Sequence, residues 1–134
     1  MAEDELSAVT DQNNLAKLQH VGSGTVIAEE ILGLVGKSQF FAEFSEEDIS
    51  NLANYMDVYN ARPGELIIRE GDAGDFMMLI VEGEVDILKK GRHFQQQHMT
   101  SAGPSMTLGE MSMIDGEPRF ATCMASQSTI FAVL

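Results

Sequence analysis

The chain has 134 residues, 44% of them hydrophobic, and its 21 acidic against 8 basic side chains give a formal net charge of −13. That length carries one domain with a real core and not two, and the composition argues against disorder. The charge argues against binding DNA or an anionic membrane surface, since phosphate contacts take clustered Lys and Arg.

No apolar run approaches the roughly 18 residues that cross a bilayer. The N-terminal MAEDELSAVTDQNN is acidic and polar, so it does not read as a signal peptide. Cys123 is the single cysteine, which rules out an internal disulfide. A soluble cytoplasmic protein is the simplest expectation.

In chain order, residues 2–20 read as a polar helix or a loose arm, with Leu6, Val9, Leu15 and Leu18 at thin helical spacing. Gly22-Ser23-Gly24 reads as a flexible break. Thr25 is placed to cap a helix. The apolar face of that helix is Val26, Ile27, Ile31, Leu32, Leu34 and Val35, and it is expected to pack on the domain or on a second subunit. Ser45 caps a further helix. Glu46, Glu47 and Asp48 fill its first turn, where the helix dipole favours negative charge. Phe44 and Ile49 have the spacing of a hydrophobic staple, and Ile49, Leu52, Ala53 and Met56 share one face.

From Asp57 the texture changes to short apolar runs cut by turn residues. Strands are predicted over 57–60, 66–70, 76–81, 84–90, near 99–101, and over 122–125 and 129–134. Ala61-Arg62-Pro63-Gly64 and Gly71-Asp72-Ala73-Gly74-Asp75 are turns, and Gly91 to His98 is a polar loop. Several short strands at near-regular spacing imply an antiparallel barrel or sandwich. The fold class is therefore mainly β with flanking helices.

Chemistry concentrates in Leu108 to Ala125, LGEMSMIDGEPRFATCMA. Gly109-Glu110 opens one helical turn, Met111-Ser112-Met113-Ile114, whose first backbone amides are free to meet an anion. Arg119 is the only Lys or Arg between His93 and Leu134. A lone cation in so acidic a protein points to a specific anionic partner. The plainer alternative is a surface turn whose Arg pairs with a nearby carboxylate. Enzyme chemistry finds little support. His93 and His98 flank a polar loop and lack the spacing of a β-barrel metal site. Cys123 reads as a buried apolar residue with no activating neighbour. The methionines, Met77, Met78, Met111 and Met113 among them, read as fillers of core and pocket gaps.

The same stretch resembles the phosphate-binding cassette of the cyclic nucleotide-binding domain family: Gly109-Glu110, a short helix, turn residues, then Pro118-Arg119-Phe120-Ala121-Thr122. Two upstream runs resemble further signatures of that family, in the same order and spacing. They are Pro63-Gly64-Glu65-Leu66-Ile67-Ile68-Arg69-Glu70-Gly71-Asp72-Ala73-Gly74-Asp75 and Val81-Glu82-Gly83-Glu84-Val85-Asp86-Ile87. The resemblance runs from about Phe40 to the C-terminus, which implies a helical arm over 1–39 and a cyclic nucleotide-binding β-roll domain over 40–134.

It implies an antiparallel β-roll, jelly-roll-like, with N-terminal helices and a short cassette helix. It further implies a non-catalytic regulatory domain whose ligand is cAMP or cGMP, without a metal or other cofactor. On the resemblance, Arg119 pairs with the cyclic phosphate, and the amides of Met111 and Ser112 complete the oxyanion site. Glu110 accepts from the ribose 2′-hydroxyl, Gly109 lets the backbone approach, Asp75 supports Arg119, and Thr122 closes the motif. The flanking helices lead to a partner, either a second copy or an effector domain.

Two departures from the family pattern stand out. Phe120 occupies a position where many members carry a small residue, so it either stacks on a base or fills the pocket. The chain also stops in the strand ending at Leu134, where members continue into a lid helix, as in a fragment or a domain whose lid comes from elsewhere. The alternative function is the same fold kept as a protein-interaction or dimerisation module without nucleotide. A metal-dependent β-barrel enzyme is a third option.

Overall fold

The alternating runs after Asp57 form two antiparallel sheets in the computed structural model, which describes residues 14–35, 37 and 41–134. The strands are β1 (Gln19–Ser23), β2 (Asp57–Ala61), β3 (Leu66–Ile68), β4 (Met78–Glu82), β5 (Val85–Lys90), β6 (Gln96–Ala102), β7 (Thr107–Leu108), β8 (Thr122–Ala125) and β9 (Thr129–Val133). One sheet runs β1-β2-β9-β4-β7 and the other β3-β8-β5-β6. A 3-10 turn, Gly24–Ile27, leads into α1 (Ala28–Val35). Helices α2 (Glu46–Ala53) and α3 (Glu110–Asp115) follow. The architecture is the mainly β one expected.

Strand β4 shows how the layers are held. Met78 and Ile80 face the cluster shared with Ile67, Ile68, Phe76, Val85 and Phe131. Leu79, and Met77 just before the strand, face a second cluster with Ile31, Phe41, Ile49, Ala53 and Met56. A strand buried on both faces is apolar throughout. The second cluster seats α1 and α2 on the back of the five-stranded sheet, so the expected α2 face does pack inward. Ser45 Oγ accepts the Asp48 amide at 3.1 Å and Asp48 Oδ2 accepts the Ser45 amide at 3.1 Å. This reciprocal cap satisfies two otherwise orphaned donors.

The N-terminal reading needs correction. Gln19 to Ser23 is neither arm nor break but an edge strand paired with β2, with a bulge between His20 and Gly22. Its backbone groups find partners on β2, which outweighs its weak strand propensity. Leu15 and Leu18, 2% and 9% exposed, lie in the core with Ile67 and Phe131. Thr25 falls inside the 3-10 turn, which the Gly24 amide ties to the Met56 carbonyl at 2.7 Å. Leu6, Val9 and the boundary drawn at 39/40 lie outside the described residues.

Strand β6 is longer than its sequence suggested, because β5 supplies the pairing along its whole length. His98 therefore sits in a strand, while His93 lies in a 3-10 turn, Arg92–Phe94.

Candidate functional site

The site forms where α3, the start of β8 and the turn before β4 converge. The turn and the segment leading into β8 are tied by backbone hydrogen bonds. The Arg119 amide donates to the Asp72 carbonyl at 2.8 Å, and the Gly71 amide donates to the Arg119 carbonyl at 2.9 Å. Arg119 is 4% exposed. Its Nη1 donates to the Gly109 carbonyl at 2.8 Å and its Nη2 to the Phe76 carbonyl. The guanidinium also lies 5.1 Å from the centre of the Phe76 ring. Arg119 is thus buried and not on the surface, with two of its donors on backbone oxygens.

Two glycines make this possible. At Gly74 a Cβ would sit 2.9 Å from Arg119 Cζ and 2.5 Å from Ser112 Cβ. Gly109, the N-cap of α3, has φ +90°, a conformation that strains any residue with a Cβ. A Cβ there would also come within 2.6 Å of Arg119 Nη1. Both glycines let the backbone press against the guanidinium.

Glu110 opens α3, where the helix dipole favours a carboxylate. Its Oε2 is buried and has no hydrogen-bond partner among the described residues. Buried polar atoms are almost always satisfied, so this oxygen is an acceptor waiting for a donor. Ser112 is 9% exposed on the same helix, which closes with the Gly116 amide on the Ser112 carbonyl at 3.0 Å.

These groups border a cavity of about 170 Å³. Gly109, Glu110, Met111, Ser112, Arg119 and Phe120 line it, with an apolar floor of Ile68, Ile87, Leu108, Ala121 and Cys123. Six of the eight residues singled out from sequence are thus brought together. Thr122 is not among them: it is 2% exposed, and its hydroxyl accepts the Glu70 amide at 3.0 Å. Asp75 is exposed and also lies outside the lining, although its neighbour Gly74 touches the guanidinium. Phe120 does not fill the cavity; it is 69% exposed at the rim. A larger cavity of about 420 Å³ lies against α1, β4 and β9, remote from Arg119 and Glu110.

Sequence reasoning missed Lys89 and Glu70. The pairing of Leu88 with Thr122 places Lys89 beside the residues that follow Arg119. Lys89 Nζ lies 3.9 Å from the centre of the Phe120 ring and 3.2 Å from Glu70 Oε2. The Lys90 amide, and then Lys89, hold the Glu70 carboxyl below the usual carboxylate range. The signal was present in the β5–β8 register but not in the spacing of any motif.

Among the described residues no group of three His, Cys, Asp or Glu is placed to hold a metal ion. Nor is any described helix long and apolar enough to cross a membrane. Ser101 Oγ donates to Asp86 Oδ1 at 2.8 Å while His98 Nε2 lies 2.9 Å from it. The hydroxyl proton is therefore directed at the carboxylate and not at the imidazole, unlike an activated nucleophile.

Two facing antiparallel sheets, a one-turn helix and a buried arginine beside a small cavity define the architecture, a β-roll. Residues 59–134 match the cyclic nucleotide-binding domain family, and the chain belongs to that family. It is similar to the crystal structure of a cyclic nucleotide-binding domain from Methylobacillus flagellatus KT. The two are 42% identical with a TM-score of 0.79, over 89% of this chain and 67% of that one. It is 30% identical over 114 residues to the cGMP-dependent protein kinase egl-4 of Caenorhabditis briggsae. It is 28% identical over 113 residues to the cAMP-dependent protein kinase regulatory subunit of Yarrowia lipolytica. These matches take in 85% and 82% of the chain but only 15% and 29% of the length of those two relatives.

Proposed function

We propose that the chain binds a 3′,5′-cyclic nucleotide, cAMP or cGMP, and acts as a regulatory domain in the cytoplasm, without catalysis of its own. The observation that carries this reading is one cavity bordered by a buried guanidinium and by a buried carboxylate oxygen with no donor among the described residues. A cyclic nucleotide would bring a singly charged phosphate to Arg119 and a ribose 2′-hydroxyl to the Glu110 oxygen that meets no donor among the described residues. A planar fork suits paired phosphate oxygens. The amides of Met111 and Ser112 at the start of α3 add donors on the phosphate side.

At about 170 Å³ the cavity is smaller than the roughly 300–1,000 Å³ of sites that enclose whole ligands. It takes the sugar and phosphate and leaves the base at the rim, beside Met111 and Phe120. The names of the two kinase relatives divide between cGMP and cAMP, so they support the ligand class and not one base. Occupancy is signalled if the ligand favours one arrangement of the flanking helices over another.

A second reading, an interaction module without nucleotide, draws on a different observation. Met111, Met113 and Ile114 on α3 are 63%, 51% and 73% exposed, and Phe120 at the cavity rim is 69% exposed. Thermal unfolding with and without each nucleotide separates the two. A ligand at 100 times its Kd adds about 2.7 kcal/mol, a rise of several degrees in a domain this size. The expected result is a rise with at least one nucleotide that disappears in Arg119→Ala, since breaking a buried ion pair costs about 3–5 kcal/mol. No rise with either would favour the interaction module.

A further inference from the structure

Lys89 is fastened to Phe120 in two ways. Its Nζ lies 3.9 Å from the ring centre and donates to the Phe120 carbonyl at 2.7 Å. Glu70 fixes the lysine in turn: Oε2 pairs with Lys89 Nζ at 3.2 Å, while Oε1 accepts the Lys90 amide at 3.0 Å. The Glu70 amide donates to Thr122 Oγ1 at 3.0 Å. One carboxylate after β3 thus binds the end of β5 to the approach to β8. On the other side of Phe120, the Arg119 backbone is locked to Asp72 and Gly71. The aromatic ring is therefore mounted between two fixed points, at the rim of a cavity that it also lines.

An aromatic ring beside an apolar cavity is expected to bury itself, yet this one stays 69% exposed. A cation over one face leaves the opposite face for a second planar group, because the ring's negative faces attract the cation and its offset stack with a base survives. We propose that Lys89, anchored by Glu70, positions Phe120 as the stacking platform for the base of the ligand. This rests on the reading that the site takes a cyclic nucleotide. It adds a positioning residue to it and makes the planar base a requirement for tight binding. Pairing with Glu70 offsets the charge of Lys89, so its role is to orient Phe120 and not to attract phosphate.

The test measures Kd by calorimetry for the preferred cyclic nucleotide and for ribose 3′,5′-cyclic phosphate, which has no base. For wild type, the nucleotide binds and the base-free compound binds more weakly. Lys89→Met should weaken the nucleotide about two- to fivefold, the scale of an exposed cation–π contact. Phe120→Ala should weaken it about tenfold or more, the scale of aromatic stacking on a base. Both should leave the base-free compound within about twofold of wild type. Lys89→Arg, which keeps a cation over the ring, should retain wild-type affinity. Lys89→Met/Phe120→Ala should bind no more weakly than Phe120→Ala alone, because the lysine acts through the ring. Lys89→Gln serves as a second charge-removing variant, and melting curves verify the fold of each.

Two outcomes overturn the proposal while leaving the cyclic nucleotide reading intact. One is a Lys89→Met variant with wild-type nucleotide affinity. The other is a loss that persists in the Phe120→Ala background or falls equally on the base-free compound, which would make Lys89 a phosphate-side charge. A wild-type protein that binds neither compound overturns both readings.

Discussion

Arg119 and Glu110 reach the same cavity in different states. The guanidinium donates to the carbonyls of Gly109 and Phe76, while Oε2 of Glu110 meets no donor among the described residues. A buried acceptor left unsatisfied costs about 1–3 kcal/mol, and the empty protein carries that cost. Glu110→Ala should therefore leave the melting temperature of the empty protein unchanged or slightly higher. The same change should weaken nucleotide binding about ten- to a hundredfold, since hydrogen bonds to charged groups contribute about 1.5–3 kcal/mol. Melting curves and calorimetry on one pair of proteins check both halves. A clearly lower melting temperature would mean that Oε2 is satisfied before the ligand arrives. At this scale the sequence was informative about position, as with Arg119, singled out by sequence and buried beside the cavity in the fold. It was misleading at Thr122, which closes the motif but faces away from the cavity. Neighbouring residues in a strand point to opposite faces, and here it is Cys123 that lines the floor.

Helix α3 and the turn before β4 are separate in sequence, yet they act as one unit through Gly74. Its missing side chain lets the turn close on both Ser112 and the guanidinium. Gly74→Ala puts a methyl group into occupied space, and overpacking of that kind costs about 1–3 kcal/mol. For a chain of this length, a drop of roughly 5–10 °C in melting temperature is expected. Nucleotide affinity should fall with it, because Arg119 is one of the two groups that must move. Gly33→Ala is the control: a Cβ there meets nothing within 4 Å, and alanine is the better helix former. Equal effects from the two substitutions would sever the link between this turn and the site. Elements with their own local code were legible, such as α2, whose Ser45 cap, acidic first turn and apolar face all lie within a few residues. Strand β1 was not, and β6 was legible only near Met99 to Ser101. Both are sheet edges with largely exposed side chains, so neither shows the alternation that marks a half-buried strand. Their pairing partners lie elsewhere in the chain.

Taken whole, the molecule begins its core earlier than the sequence texture suggests. The polar character of the first twenty residues hides two side chains with long-range roles. Leu15 and Leu18 pack against residues that lie about fifty to more than a hundred positions further along. Beside them, Asn14 Nδ2 donates to Asp72 Oδ2 at 3.1 Å, with both residues buried. Asp72 belongs to the turn whose carbonyl holds the Arg119 amide. The segment before β1 therefore buttresses the turn that holds the Arg119 backbone, which the thin spacing of Leu6, Val9, Leu15 and Leu18 could not reveal. A loose arm would tolerate truncation of Leu15, whereas a core position would not. Leu15→Ala is expected to cost roughly 2–5 kcal/mol, the range for a buried leucine, with a matching fall in the denaturant midpoint and an unchanged slope. Lys17→Ala, at an exposed position two residues on, should leave the midpoint in place. A Leu15→Ala midpoint equal to that of Lys17→Ala would return this segment to the status of an arm and remove the support it gives to Asp72.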